Sequence, residues 1–324
     1  MNKLDKDTFE RFKFIEDLIK QYPIREFDLS EINKIKDAYQ EYIPIYETVN
    51  KNLQFKDNEF IDKELMVEIK QMKHYIHIKT ELLDIKIAYF DLKGSDTLIT
   101  HIYSIVLMFQ KLYGYKKIII NIALTNIKRK ITKKIIGTLA VNGGATDLVI
   151  IEIYRGEEVL KVLCHELCHF YELDCIKIDK NQDQVLHKFK IKTNNNITLS
   201  LSESLNECLA MIHHIAIISY YTKKSPLLIY HYEKIWSLYQ ICHVLNNYGM
   251  KKFEDLYEKK FEQETNVFSY YIIKFFLFWK LDNTCTIKNI NDILSNQEII
   301  KIVNENIDRK FNKGLRMTLF ELTK

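Results

Sequence analysis

The chain has 324 residues, of which 47% are hydrophobic and 28% charged, proportions that exclude an intrinsically disordered, collagen-like or mucin-like polypeptide. Forty-seven basic against 43 acidic residues leave a net charge of +4, too balanced for the electrostatic footprint of a nucleic-acid binder. Eight Gly and three Pro give too little turn punctuation for a β-sandwich or barrel, so helix should dominate.

From residue 6 to about 87, apolar side chains recur at helical spacing, among them Phe9, Phe12, Ile15, Leu18, Ile32, Ile35, Ile61, Leu65 and Ile69. This predicts three or four amphipathic helices, broken at Pro23 and Pro44. The stretch 91–96 reads as a linker, with Ser95 or Asp96 capping a helix that runs to about Tyr113. It divides the chain into a helical N-terminal region, 1–93, and a second domain, 94–324. Residues 117–124, 137–141 and 148–154 are short, β-branched and bounded by turn residues, which predicts the strands of a small mixed sheet. Helical periodicity then returns over 157–174, 199–221, 227–248, 253–259, 267–281 and 290–304. The expected fold class is α+β, mainly helical, with a helical C-terminal subdomain. No apolar run approaches the ~18 residues of a membrane span. Residues 1–7 lack the apolar core of a signal peptide, so a cytosolic, non-secreted protein is expected. The six Cys lack the C-x-x-C spacing of a zinc ribbon or redox site and read as reduced thiols.

The chemistry concentrates in His165-Glu166-Leu167-Cys168-His169. On a helix, residues i and i+4 share a face, so both imidazoles can reach one Zn²⁺ while Glu166 projects beside it, placed to accept a proton from water. With 10 His and 25 Glu in the chain, chance yields about 0.02 such matches, which makes coincidence the weaker account. A later helical stretch, Ser202 to Ala210, supplies Glu203 and Glu207 at i and i+4 amid Leu201, Leu205 and Leu209. Two unpaired buried acids are costly. A metal and a histidine remove that cost, which assigns Glu203 as third ligand and Glu207 as the partner that orients a ligand His; the reverse assignment stays open. His213-His214 follow on the same helix and read as satisfied core groups. Cys164 and Cys168 read as small packing residues. Lys128-Arg129-Lys130 with Lys133-Lys134 is the one basic cluster, a solvated loop by default and an anion-binding site in the sharper reading.

Three blocks carry a family resemblance: Val141-Asn142-Gly143-Gly144-Ala145-Thr146, Tyr154-Arg155-Gly156-Glu157-Glu158 with Lys161-Val162, and the HExxH segment. They resemble HExxH metallopeptidases encoded by nucleocytoplasmic large DNA viruses. The segments around Glu203–Ala210, 265–271 and 315–321 resemble further blocks, so the likeness covers about residue 116 to the end and leaves the N-terminal region unmatched. Val159-Leu160 stands where that family has Trp-Phe, and Phe170-Tyr171-Glu172 replaces its Asn-(Phe/Leu)-Gly. The resemblance implies a zincin-like, gluzincin-type catalytic region that hydrolyses peptide bonds with one Zn²⁺ and Glu166 as general base, acting on a peptide or protein in the host-cell cytoplasm or a virion. It further implies that Tyr270 or Tyr271 stabilises the oxyanion, with an ordinary core tyrosine as the alternative. Arg316 is a candidate clamp for a substrate carboxylate, against an ordinary salt bridge. A strand over 138–142 ending in Gly143-Gly144 is a candidate edge for the substrate backbone. The competing class is a catalytically silent zincin-fold structural or binding protein of such a virus, although a purely structural zinc site has no use for Glu166.

Overall fold

In the computed structural model, which describes residues 3–56, 61–91, 96–173, 182–193, 199–280 and 290–322, six strands form one mixed sheet. These are β1 (Glu47–Val49), β2 (His74–Lys79), β3 (Leu83–Tyr89), β4 (Ile118–Ala123), β5 (Gly144–Thr146) and β6 (Ile150–Ile153). Their order across the sheet is β1-β2-β3-β4-β6-β5. β4 pairs in parallel with both β3 and β6, and the other neighbours are antiparallel. The parallel β3–β4 step is bridged by a helix, as such a crossover requires. Two short strands, β7 (Ile191–Thr193) and β8 (Phe261–Gln263), pair in parallel elsewhere.

The helices are α1 (Lys6–Phe12), α2 (Glu16–Gln21), α3 (Ser30–Ala38), α4 (Lys63–Gln71), α5 (Asp96–Tyr113), α6 (Thr138–Val141), α7 (Val159–Phe170), α8 (Gln182–Lys188), α9 (Ser202–Thr222), α10 (Pro226–Asn247), α11 (Asp255–Glu258), α12 (Lys274–Lys280), α13 (Ile290–Leu294) and α14 (Gln297–Asn304). A π-helical turn, Phe268–Ile273, leads directly into α12. Ile85, Ile87, Ile120, Ile122, Ile151 and Ile153 bury one sheet face in the main core with α5 and α7. Leu65 and Ile69 of α4 cover the other face over Ala88, Ala123 and Tyr154. α9 is the central helix of the second layer and packs on α7, α3, α10 and α12. Its middle, Cys208 to Ser219, carries no formally charged acid or base apart from two histidines and is buried nearly all round, as a helix enclosed on every side requires.

The molecule is α+β and mainly helical. Three expectations are corrected. The helical reading of residues 6–87 fails after Met72: Ile76, Ile78, Leu83, Ile85 and Ile87 alternate at period two and form the β2–β3 hairpin, whose turn at residues 80–82 contains no Gly, Pro or Asn to mark it. The expected division at residue 93/94 does not part the sheet, because β3 is hydrogen-bonded along its length to β4 and both sides share one core; Ser95 lies outside the described residues. Finally, residues 138–141 form the helical turn α6 and not a strand, with buried Arg155 collecting the carbonyls of Asn142, Ile127 and Leu139. No described helix is long and apolar enough to cross a membrane.

Candidate metal centre

α7 runs under the sheet edge with its HExxH face toward α9. His165 and His169 lie one turn apart with ring centroids 4.8 Å from each other. Across from them, near the start of α9, Glu203 Oε2 stands 3.3 Å from the Nε2 of each imidazole. Ligand atoms of these three residues all fall within 4.8 Å of one another. Two atoms held ~2.0–2.1 Å from a tetrahedral ion stand roughly 3.3 Å apart, so the spacing suits a divalent metal bound by two imidazoles and a carboxylate.

One turn along α9, Glu207 Oε1 lies 2.8 Å from His165 Nδ1. With a metal bound, a proton kept on Nδ1 beside Glu207 would leave Nε2 to offer its lone pair to the ion. Lys161, one turn before His165, contacts both Glu207 oxygens. Asn206 Nδ2 donates to the His165 carbonyl at 3.0 Å and ties the two helices together. Burial alone would raise both α9 carboxyls; hydrogen bonds from His165 and His169 hold Glu203 well below the usual range, and Lys161 with His165 does the same for Glu207. The Glu166 carboxyl moves the other way, raised by burial, which is the direction a general base requires. For His165, burial pulls down and Glu207 and Glu203 pull up, and the charges win.

The three residues open into a cleft of about 380 Å³ lined on one wall by Gly143, Gly144, Ala145 and Thr146 and on the other by His165, Glu166, His169, Glu203 and Tyr270. β5 is the sheet's last strand on this side. The Gly143 carbonyl accepts from Tyr154 N at 2.8 Å, so by the alternation of an antiparallel ladder the N–H and C=O of Gly144 point away from β6, toward the cleft. A Cβ at Gly144 would stand 2.8 Å from Glu166 Oε1 and 2.9 Å from the Glu152 carbonyl. Glycine here is a condition for the strand to lie against Glu166.

The remaining candidates separate. Tyr270 lines the cleft, its ring 6.1 Å from that of His165, and burial followed by the neighbouring carboxylates raises its hydroxyl far above the usual tyrosine range. Tyr271 does not reach the cleft; it is buried and donates to the Leu315 carbonyl at 2.8 Å. The proposed Arg316 clamp is also corrected: Arg316 is 5% exposed, bonds Glu321 at 2.7 Å, lies 3.9 Å from Glu158, and does not line the cleft. The edge strand is β5 and not 138–142. His213 is a core residue, bonded to Tyr113 at 2.7 Å and the Leu209 carbonyl at 2.8 Å and stacked on Phe109, and His214 is buried beside it. Cys164, Cys168, Cys208 and Cys242 are buried and not in disulfides; Cys175 and Cys285 lie outside the described residues. The basic cluster does not act as one patch, since Lys128 pairs with Asp7 at 2.5 Å while Arg129 is buried against Glu158 at 2.9 Å.

Sequence reasoning missed Lys161, Asn206 and Arg129 as members of this neighbourhood. The first two sit at helical spacing from His165 and Glu203, a signal that was available; Arg129 arrives from a loop 36 residues away and gave none. Comparison with protein families, curated proteins and solved structures finds no match to the chain.

Proposed function

We propose that this protein is a zinc-dependent metallopeptidase of the gluzincin type, with a zincin-like catalytic region. The observation that carries the reading is the convergence of His165 Nε2 and His169 Nε2 on one oxygen of Glu203, with Glu166 on the same cleft. His165, His169 and Glu203 would hold the metal. When bound, zinc acts as a Lewis acid that polarises a carbonyl and lowers the pKa of water. Glu166 stands on the cleft where it would take a proton from water and hand one to the leaving amine, and its raised pKa strengthens it as the base in the first of these transfers. Glu207, held by Lys161, fixes the His165 tautomer. The substrate backbone lies antiparallel along β5 and uses the outward-facing Gly144 groups as an added strand would. Tyr270 donates its hydroxyl proton as a hydrogen bond to the developing oxyanion, and its high pKa keeps it protonated for that purpose. The likeness of the sequence blocks to viral HExxH peptidases supports the same reading and points to an infected-cell or virion setting.

The test is metal content per chain, by elemental analysis of protein purified without chelator or metal-binding tag. We expect near-stoichiometric zinc in wild type, loss in His165→Ala and Glu203→Ala, weaker retention in Glu207→Ala, and cleavage of a peptide library that Glu166→Gln abolishes. Wild type that takes up no zinc when it is offered overturns the proposal.

A further inference from the structure

One buried arginine belongs to the cleft wall although nothing in the metal centre engages it. Arg129 is 2% exposed. Its Nε side lies against Glu158 Oε2 at 2.9 Å, a carboxylate it shares with Arg316, while its Nη1 is buried with no hydrogen-bond partner among the described residues. Its Nη2 reaches the base of the cleft strand: a Cβ on Gly143 would stand 2.5 Å from it. Glycine at 143 is therefore what admits the guanidinium to this wall. The other wall cation, Lys161, is committed to both oxygens of Glu207.

The direction of β5 says which part of a peptide would meet Arg129. A strand added antiparallel to β5 runs its C-terminal half toward the start of β5, where Gly143 and Arg129 lie. Glu166 stands at Gly144, and one extended residue advances ~3.3 Å. Arg129 thus falls one or two residues beyond the bond that Glu166 serves. An unused buried guanidinium edge is costly, and its planar fork matches a carboxylate.

We infer that Arg129 binds a substrate carboxylate located one or two residues on the C-terminal side of the cleaved bond, supplied by the chain terminus or by an Asp or Glu side chain. This rests on the peptidase reading above. The test uses peptide libraries of one composition in three forms: free C-terminal acid, C-terminal amide, and amide with Glu fixed at successive positions. Wild-type digests are read by mass spectrometry, and binding is measured on zinc-loaded Glu166→Gln protein and on the same protein after chelation. The expected result is binding at least about tenfold tighter for the carboxylate-bearing forms, with cuts one or two residues before the carboxylate. Preference for the free acid identifies the terminus, and preference for the Glu series identifies a side chain. Arg129→Lys keeps a charge near Glu158 but removes the fork, and should erase the preference with zinc content near wild type even where the melting temperature falls; Gly143→Ala, which crowds Nη2 and leaves the Glu158 pair in place, should weaken it by a second route. Equal binding of all three forms, no binding of any, or a preference that survives both substitutions overturns the inference. The metallopeptidase reading fails by a different result: no bound zinc, or peptides bound by wild type and never cut.

Discussion

The charged cluster at the start of α7 and the one in its middle both set glutamates against basic side chains and differ in how their polar atoms are used. At the start, Glu158 holds a left-handed backbone at φ 59°. Its carboxylate accepts from Thr318 N at 2.7 Å, Thr318 Oγ1 at 2.9 Å and Met317 N at 3.2 Å, with Arg129 alongside. Burial opposes its charge, but Arg129, Arg316 and Lys161 hold its pKa down to about 2. Glu233 of α10 takes the next two amides, of Leu319 and Phe320, and Arg11 of α1 bonds the Leu319 carbonyl. This cluster is a lock that ties the C-terminal segment to α1, α7 and α10. Two turns on, His165, His169 and Glu203 turn their atoms toward one point and toward solvent-accessible space. In the first cluster the carboxylates take backbone amides of the C-terminal segment, and in the second the polar atoms converge on a cleft.

Breaking the lock should have the largest effect. Glu158→Ala strands two arginines and three donors, and we expect a loss of about 3–5 kcal/mol in urea unfolding, the same with or without zinc. The ligand cluster should behave in the opposite way. Wild type should gain about 4 kcal/mol when free zinc is a thousand times its Kd, seen as a raised melting temperature that EDTA reverses. Glu203→Gln should cost under about 2 kcal/mol in EDTA and abolish that gain; a zinc response that survives in Glu203→Gln would break the comparison.

The dependence on pH sharpens it further. Burial lowers His101, His213 and His243 to about 4. Between pH 4 and 6.5 the unfolded chain therefore binds more protons, so stability rises with pH in that window and is lost as pH falls through it, by up to about 3 kcal/mol per histidine. Glu233 in the lock has the opposite sign. Burial raises it to about 7, so the folded chain binds the extra proton and stability declines as pH climbs from the ordinary glutamate range to 7. Glu233→Gln should make the measured rise across pH 5–7 steeper, and an unchanged slope would show that Glu233 does not titrate there. The smallest effect belongs to the cleft wall. Gly144→Ala should cost about 1–3 kcal/mol through the close approach to Glu166 and the Glu152 carbonyl, and should lower peptide turnover more than zinc content.

Much of the site was legible because its signals are local. The i, i+4 spacing of His165 and His169, and of Glu203 and Glu207, needs only helix geometry to place each pair on one face. The β2–β3 hairpin was missed because a helical count was carried through a period-two segment with no turn residue to interrupt it. Residues 138–141 have strand propensity yet form a helical turn, with Arg155 holding the carbonyls of Leu139 within it and Asn142 at its end, contacts absent from a weak local preference.

The sequence by itself determined that α7 and α9 form, which faces they present, and which residue types could meet a metal. Only the tertiary structure decided that Glu203 faces both Nε2 atoms while Glu207 backs His165, because that depends on how α9 crosses α7. It also decided that Arg316 belongs to the lock alone, while Arg129 sits between the lock and the cleft. Both are arginines near glutamates in a one-dimensional reading. Their different surroundings follow from the sheet edge and the C-terminal segment, which bring together residues more than 150 positions apart.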